Sequence, residues 1–423
     1  MSFLDRANQA LSSVSSHYTQ LEIVRGAGCY LYDASGRGYL DFSTGVGVTA
    51  TGHCHPQVVK AIQDQAATLI HACIGVVYYN PPIALAEQLG AVLGSGLDSV
   101  FFVQSGSEAI ESAIKLAKYT TKKHKIVAFK GGFHGRTLGA LSLTTSKEKY
   151  RDGYAPLLEG VQFFPYPYCY RCPWEKERST CELFCQDELT AYFDQLDDQV
   201  AAVIIEPILG EGGYTSAPEA FLKQLHALCK EKDILLIFDE IQTGFGKTGN
   251  WFAFQKLGIA PDIIALAKGI GSGLPLGACV ASKELMSKWT PGAHGGTYGG
   301  NPVTCAAGVA TLDVLTRHLP DVFPLGEKTL AFLHSQLDCV DTIGDIRGEG
   351  LMIGIEFVKD KTTKTPHAEL MKQVMARCLE RGLIVISCGI YDNVIRLIPP
   401  IIIDESTLMT GLSILTEVIH EYN

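Results

Sequence analysis

From about residue 95 onward the chain alternates two textures. Short unbroken apolar runs (SVFFV, KIVAF, VAAVII, ILLIF, DIIALA) are separated by longer stretches in which apolar side chains return every three or four positions. An unbroken run reads as a strand covered on both faces, whereas the spacing of Ile110, Ala113, Ile114 and Ala117 in EAIESAIKLAKYTTKK reads as an amphipathic helix. Strands and helices in regular alternation predict a doubly wound, mainly parallel sheet. The ends of the chain differ. YLYDASGRGYLDF, near residue 30, reads as a hairpin. Towards the C-terminus, GDIRGEGLMIGIEFV, LIVISC and VIRLIPP flank the helix-like AELMKQVMARCLERG and suggest a small α+β unit. The expectation is an α/β protein in which residues 51–319 form a large domain, residues 320–423 a small α+β domain, and residues 1–50 pack with the small one. There is no internal repeat, low-complexity tract or long linker.

Composition narrows the partners. A chain of 423 residues can bury a large core, and its net charge of −10, spread without blocks of like charge, offers no footprint for nucleic acid or an anionic membrane. Small-molecule chemistry is therefore expected. No uncharged apolar run reaches the roughly 18 residues of a membrane span. MSFLDRANQALSSVSSHY lacks the apolar segment of a signal peptide. Thirteen cysteines, mostly scattered singly through apolar segments, suit reduced thiols in a cytoplasmic protein.

FDEIQTGFGKTGNW, residues 238–251, contains two phosphate-loop patterns. The Walker A reading fails because its first glycine would fall on Ile241. The dinucleotide reading of Gly244, Gly246 and Gly249 requires an acid at the end of the next strand, and that strand ends instead at Lys268. The residues on either side are more informative. Asp239 ends one apolar run and Lys268 the next, and open α/β sheets bind ligands off the carboxyl ends of their strands. A solvated lysine at a strand end is the plain alternative. Paired with an acid in one crevice, Lys268 points to covalent attachment of pyridoxal phosphate, with Asp239 as partner of its ring nitrogen.

SGSEA, GGFHGRT, EPILGEGG, DEIQTGFGKTG, ALAKGIGSGLPLGA, TYGGNP and RGEGLMIGIE, in this order from about residue 29 to 400, resemble the successive motifs of class III pyridoxal-phosphate aminotransferases, and most closely those of 4-aminobutyrate aminotransferases. The resemblance implies fold type I, a homodimer (or a tetramer built from it) with shared active sites, and GFGKTG as a turn beyond the cofactor. It implies that Lys268 anchors pyridoxal 5′-phosphate and shuttles the proton, that Asp239 keeps the ring nitrogen protonated, and that Gln242 bonds the phenolic oxygen. Ser105, Gly106 and Ser107, where a strand turns into a helix, would bind the phosphate. Serine as a plain N-cap fits the same positions. Thr297 would reach a phosphate across the dimer interface, and Phe133 would stack on the ring, with a core phenylalanine as its alternative. His134 is expected to be structural. Arg396 would take the α-carboxylate of glutamate or 2-oxoglutarate, Arg136 the distal carboxylate of 4-aminobutyrate, and Glu211 would pair with Arg396 when the donor lacks an α-carboxylate. For Arg136 a structural ion pair is the alternative.

The implied reaction is transamination of an ω-amino acid, 4-aminobutyrate first, with 2-oxoglutarate, giving the semialdehyde and L-glutamate. Amino-acid racemisation or epimerisation, and acetylornithine- or ornithine-type transamination, are the rivals. One segment lies outside the resemblance: Cys169, Cys172, Cys181 and Cys185 give C-x2-C-x8-C-x3-C. Such a quartet can hold zinc or an iron–sulfur cluster, or be a loop of thiols packed with aromatics, and the cofactor chemistry needs no metal there.

Overall fold

The computed structural model describes residues 2–422. The five unbroken apolar runs, joined by Gly277–Ala281 and Val161–Phe164, which the sequence did not single out, form one seven-stranded sheet, in the order Ser99–Val103, Gly277–Ala281, Ile263–Leu266, Leu235–Asp239, Val200–Ile205, Lys125–Phe129 and Val161–Phe164. Every pairing is parallel except the two made by Gly277–Ala281, so the sheet is mainly parallel, as expected. Val200–Ile205 is buried at every position, which is why its sequence shows no alternation. The helix Gly106–Thr121 buries Ala109, Ile110, Ala113, Ile114 and Ala117 in the core on one face of this sheet.

Two further sheets stand beside it. Ile23–Ala27, Tyr30–Asp33 and Gly38–Asp41 form an antiparallel set, extended in parallel by Leu383–Ile384 from the far end of the chain. Ile343–Glu349, Met352–Asp360, Val394–Leu397 and Ile386–Cys388 form an antiparallel sheet, with Thr365–Pro366 on Met352–Asp360. Arg396 is on Val394–Leu397, which is paired on both sides, so its backbone is fixed. One long helix, Pro302–Leu337, carries the chain from the large sheet to this one, and the boundary placed after residue 319 falls inside it.

The glycine-rich turn after Leu235–Asp239 is a packing element. A Cβ on Gly246 would stand 2.9 Å from Ile401 Cδ1, and one on Gly249 would stand 2.8 Å from Phe323 Cβ. Both glycines have φ near +90°, which side chains other than glycine rarely adopt. Lys247 between them is buried and donates to the Pro399 carbonyl at 3.0 Å. It faces the C-terminal segment and does not line the cavity described below.

Candidate active site

The carboxyl ends of Leu235–Asp239 and Ile263–Leu266 open into a cavity of about 550 Å³, whose wall includes Asp239, Gln242 and Lys268. Lys268 stands two residues beyond the end of its strand with φ +47°, a region that costs a non-glycine residue on the order of 1 kcal/mol. Burial is the main reason its ammonium titrates low, at about 8. The charge of Arg396 acts in the same direction, and Asp239, Glu206 and Glu211 oppose it.

Asp239 is buried, and its Oδ2 lies 2.8 Å from Nδ1 of His134. The expectation that His134 is merely structural is corrected here: it lines the cavity and holds the acid that faces it. Desolvation disfavours the imidazolium, but the bond to Asp239 and the charges of Asp239 and Glu206 outweigh it, so His134 keeps its proton to higher pH than usual. Glu206 completes this group. Burial, then the charge of Asp239, pushes it up to about 7 against the pull of His134 and two backbone donors, the N–H groups of Phe133 and Gly210.

Ser105, Gly106 and Ser107 line the same cavity at the start of Gly106–Thr121. Ser105 is the N-cap and its Oγ accepts from the Glu108 N–H at 3.2 Å, while Ser107 Oγ accepts from the Arg136 N–H at 3.0 Å. Phe133 stands edge-on to Tyr150 at 5.8 Å. The Arg136 guanidinium lies 3.7 Å over the Tyr150 ring and makes no ion pair among the described residues. Gln242 is buried and its Oε1 has no hydrogen-bond partner. Thr297 is not brought to this wall. It sits on an exposed loop beside the exposed Tyr298.

Arg396 is fully desolvated, with a side chain 2% exposed, and its Nη2 lies 3.0 Å from Oε2 of Glu211. Its Nε and Nη1 are buried donors without partners. Burial works against the charge of Glu211, but Arg396, then Lys147, and the Tyr150 hydroxyl more than offset it, so Glu211 titrates below its usual range. Lys147, which the sequence did not single out, lies 3.3 Å from Glu211 Oε1 and also pairs with Asp392.

Other members of the wall were also missed. Ser16 and Tyr18 enter from the irregular N-terminal segment, which has no periodicity to flag them. Glu206 could have been found, because it ends an unbroken apolar run as Asp239 does. The four cysteines lie elsewhere. They are free thiols around an apolar cavity of about 30 Å³ that also touches Trp174 and Phe184. Among the described residues no group of three or more His, Cys, Asp or Glu side chains is arranged to hold a metal ion. No helix among them is long and apolar enough to cross a membrane.

A lysine and an acid at adjacent strand ends, above a helix N-terminus, define a class before any particular relative. The chain belongs to the class III aminotransferases: the family model described as "Aminotransferase class-III" matches residues 11–419. It is 36% identical to the 4-aminobutyrate aminotransferase GabT of Escherichia coli, covering 99% of this chain and 98% of that one. It is 39% identical to the 5-aminovalerate aminotransferase DavT of Pseudomonas aeruginosa (92% and 91% covered) and 39% identical to an acetylornithine aminotransferase of Methanocaldococcus jannaschii (94% and 93%). Among solved structures, a Bacillus anthracis aminotransferase superposes with a TM-score of 0.91 at 29% identity (99% and 98% covered). An ornithine aminotransferase of Toxoplasma gondii, described with PLP at its active site, superposes at 0.86 and 28% identity (99% and 93%). Class III enzymes depend on pyridoxal 5′-phosphate, so the fold type and cofactor read from the sequence both hold.

Proposed function

We propose that this aminotransferase takes its amino group from an ω-amino acid, 4-aminobutyrate foremost, and gives it to 2-oxoglutarate, releasing the semialdehyde and L-glutamate. One observation carries the reading. A buried arginine is neutralised by a carboxylate of its own chain on one nitrogen, while two further donors stay unpartnered. Arg396 can thus stand covered when a donor without an α-carboxylate is bound, and can offer a bidentate grip when glutamate or 2-oxoglutarate arrives. Arg136, unpaired at the wall, supplies a second cation for the distal carboxylate.

The residues present fit the cofactor. The unpartnered Gln242 Oε1, the helix start at Gly106 and the buried Asp239 supply a hydrogen-bonding amide, an anion cradle and an acid for its phenolic oxygen, phosphate and ring nitrogen. Pyridoxal phosphate, when bound, supplies a carbonyl for the amino group and an electron sink for the carbanion that proton loss creates. Asp239, steadied by His134, would keep a proton on the ring nitrogen. Phe133 would pack against the cofactor. Lys268 would hold the cofactor and move the proton at its Nζ. Thr297 serves the partner's site in a homodimer.

Stopped-flow measurement of the two half-reactions tests the assignment. Arg396→Ala is expected to slow the reaction with glutamate about a hundredfold and that with 4-aminobutyrate far less, because only glutamate loses a charge-assisted grip. Equal losses would remove the exchange between Glu211 and substrate. Acetylornithine outpacing 4-aminobutyrate on the wild type would replace the donor.

A further inference from the structure

Glu211 is held from two sides, one oxygen to each. Its Oε2 faces Nη2 of Arg396 at 3.0 Å, whereas its Oε1 accepts from the Tyr150 hydroxyl at 3.0 Å and lies 3.3 Å from Nζ of Lys147. Lys147 has a side chain only 7% exposed, and its other partner is Asp392. Two cations, Arg396 and Lys147, thus face two carboxylates, Glu211 and Asp392. The charges balance while no substrate carboxylate is present. An arriving α-carboxylate adds a negative charge and takes the guanidinium that Oε2 of Glu211 occupies. With Arg396 as its only partner, Glu211 would then be stranded as an ionised group in a desolvated site, which is strongly unfavourable. The division of its oxygens removes that difficulty: Oε2 can leave while Oε1 stays.

We propose that Lys147, with Tyr150, is the positioning residue that holds Glu211 in the open state of the site, taking over its charge when the α-carboxylate of glutamate or 2-oxoglutarate claims Arg396. The inference rests on the assignment of Arg396 as the α-carboxylate site. The motion it requires is small, a turn of the Glu211 side chain about its Oε1 contacts. Asp392 makes the exchange feasible, because its side chain is 44% exposed and water can solvate it as Lys147 turns towards Glu211. Both carboxylate partners of Lys147 lie in segments that touch, since the Gly389 N–H donates to the Glu211 carbonyl at 2.9 Å and Asp392 follows three residues later. The gate and its counter-charge therefore share one rigid frame.

Titration of the holoenzyme with two dead-end acids, glutarate and butyrate, reads the proposal without turnover. Glutarate presents both carboxylates of 2-oxoglutarate, and butyrate only the one that 4-aminobutyrate carries. Lys147→Gln is expected to weaken glutarate about tenfold and to leave butyrate within about twofold, as befits removal of a single charge-assisted hydrogen bond that only the open gate needs. Tyr150→Phe, which removes a hydrogen bond and no charge, is expected to weaken glutarate about threefold. Glu211→Gln abolishes the gate and should tighten glutarate, and in that background Lys147→Gln should add nothing. Lys147→Arg should restore glutarate binding. Equal weakening of both acids by Lys147→Gln and Tyr150→Phe, or a weakening that persists in the Glu211→Gln background, would overturn the proposal and make Lys147 a direct ligand of substrate. Failure of the wild type to transaminate 4-aminobutyrate would overturn the donor assignment and leave this binding contrast intact.

Discussion

Burial sets the working charge of Lys268. Its ammonium loses hydration in the wall and feels Arg396, and the carboxylates of Asp239, Glu206 and Glu211 return only part of the loss, so it titrates at about 8 instead of the ordinary 10.5. Only the neutral amine attacks a carbonyl. Capture of pyridoxal phosphate by cofactor-free protein is therefore expected to speed up as pH rises through about 8 and to level off above it, as followed by the new visible absorption. Arg396→Ala removes a positive neighbour and should move that midpoint upward. A midpoint at 10.5, or borohydride fixing the cofactor equally in Lys268→Ala, would show that another lysine is the anchor. Lys268 and Asp239 were legible because each ends an unbroken apolar run, where side-chain chemistry must face the crevice. His134 was misread because its worth depends on Asp239, 105 positions away, and no local pattern carries such a contact. Lys147, whose partners Glu211 and Asp392 are likewise remote in sequence, was invisible for the same reason.

Five of the seven strands announced themselves as unbroken apolar text, whereas Gly277–Ala281 and Val161–Phe164 did not, and helix Gly106–Thr121 was legible because burial on one face leaves a periodic text. The turn 244–249 shows the limit of such reading. Its glycines match phosphate-loop spacing, yet they are required by close approach to Ile401 and Phe323, which belong to other elements. Lys247 within it is a buried lysine bonded to one carbonyl, and burial lowers it from 10.5 to about 7, with Asp41 and Cys29 opposing. Between those values the unfolded chain binds a proton that the folded chain does not, so this residue's contribution to stability rises with pH and is lost as pH falls from 10.5 towards 7. The drop corresponds to ~5 kcal/mol at most, against ~1 kcal/mol for the hydrogen bond that Lys247→Met would forfeit. The variant is expected to be more stable than wild type near pH 7 in urea titrations, with an advantage that shrinks by about pH 10. An advantage independent of pH would show that the lysine is not held neutral.

Several large apolar side chains stand on the surface of the chain. Ile70, Val76, Tyr78 and Tyr298 are all more than 60% exposed, which is unusual for large apolar side chains carried on two adjoining loops. The two loops that carry them are tied together, since the Asn301 side chain donates to the Ile70 carbonyl at 2.9 Å and the rings of His71 and Tyr298 lie 5.3 Å apart. Thr297 is exposed next to Tyr298 and does not line the cavity of its own chain. If a second copy covers the patch, Thr297 arrives at the partner's helix start, and cofactor affinity becomes a property of the pair. Tyr78→Asp combined with Tyr298→Asp places two carboxylates in that interface. The double variant is expected to sediment as a monomer and to bind pyridoxal phosphate at least tenfold more weakly, with the anion cradle at Ser105–Ser107 left incomplete. Wild-type protein should lose cofactor on dilution over the same concentration range in which it dissociates. Sedimentation as a monomer with undiminished cofactor binding would show that each chain holds a complete site alone and would release Thr297 from any role in it.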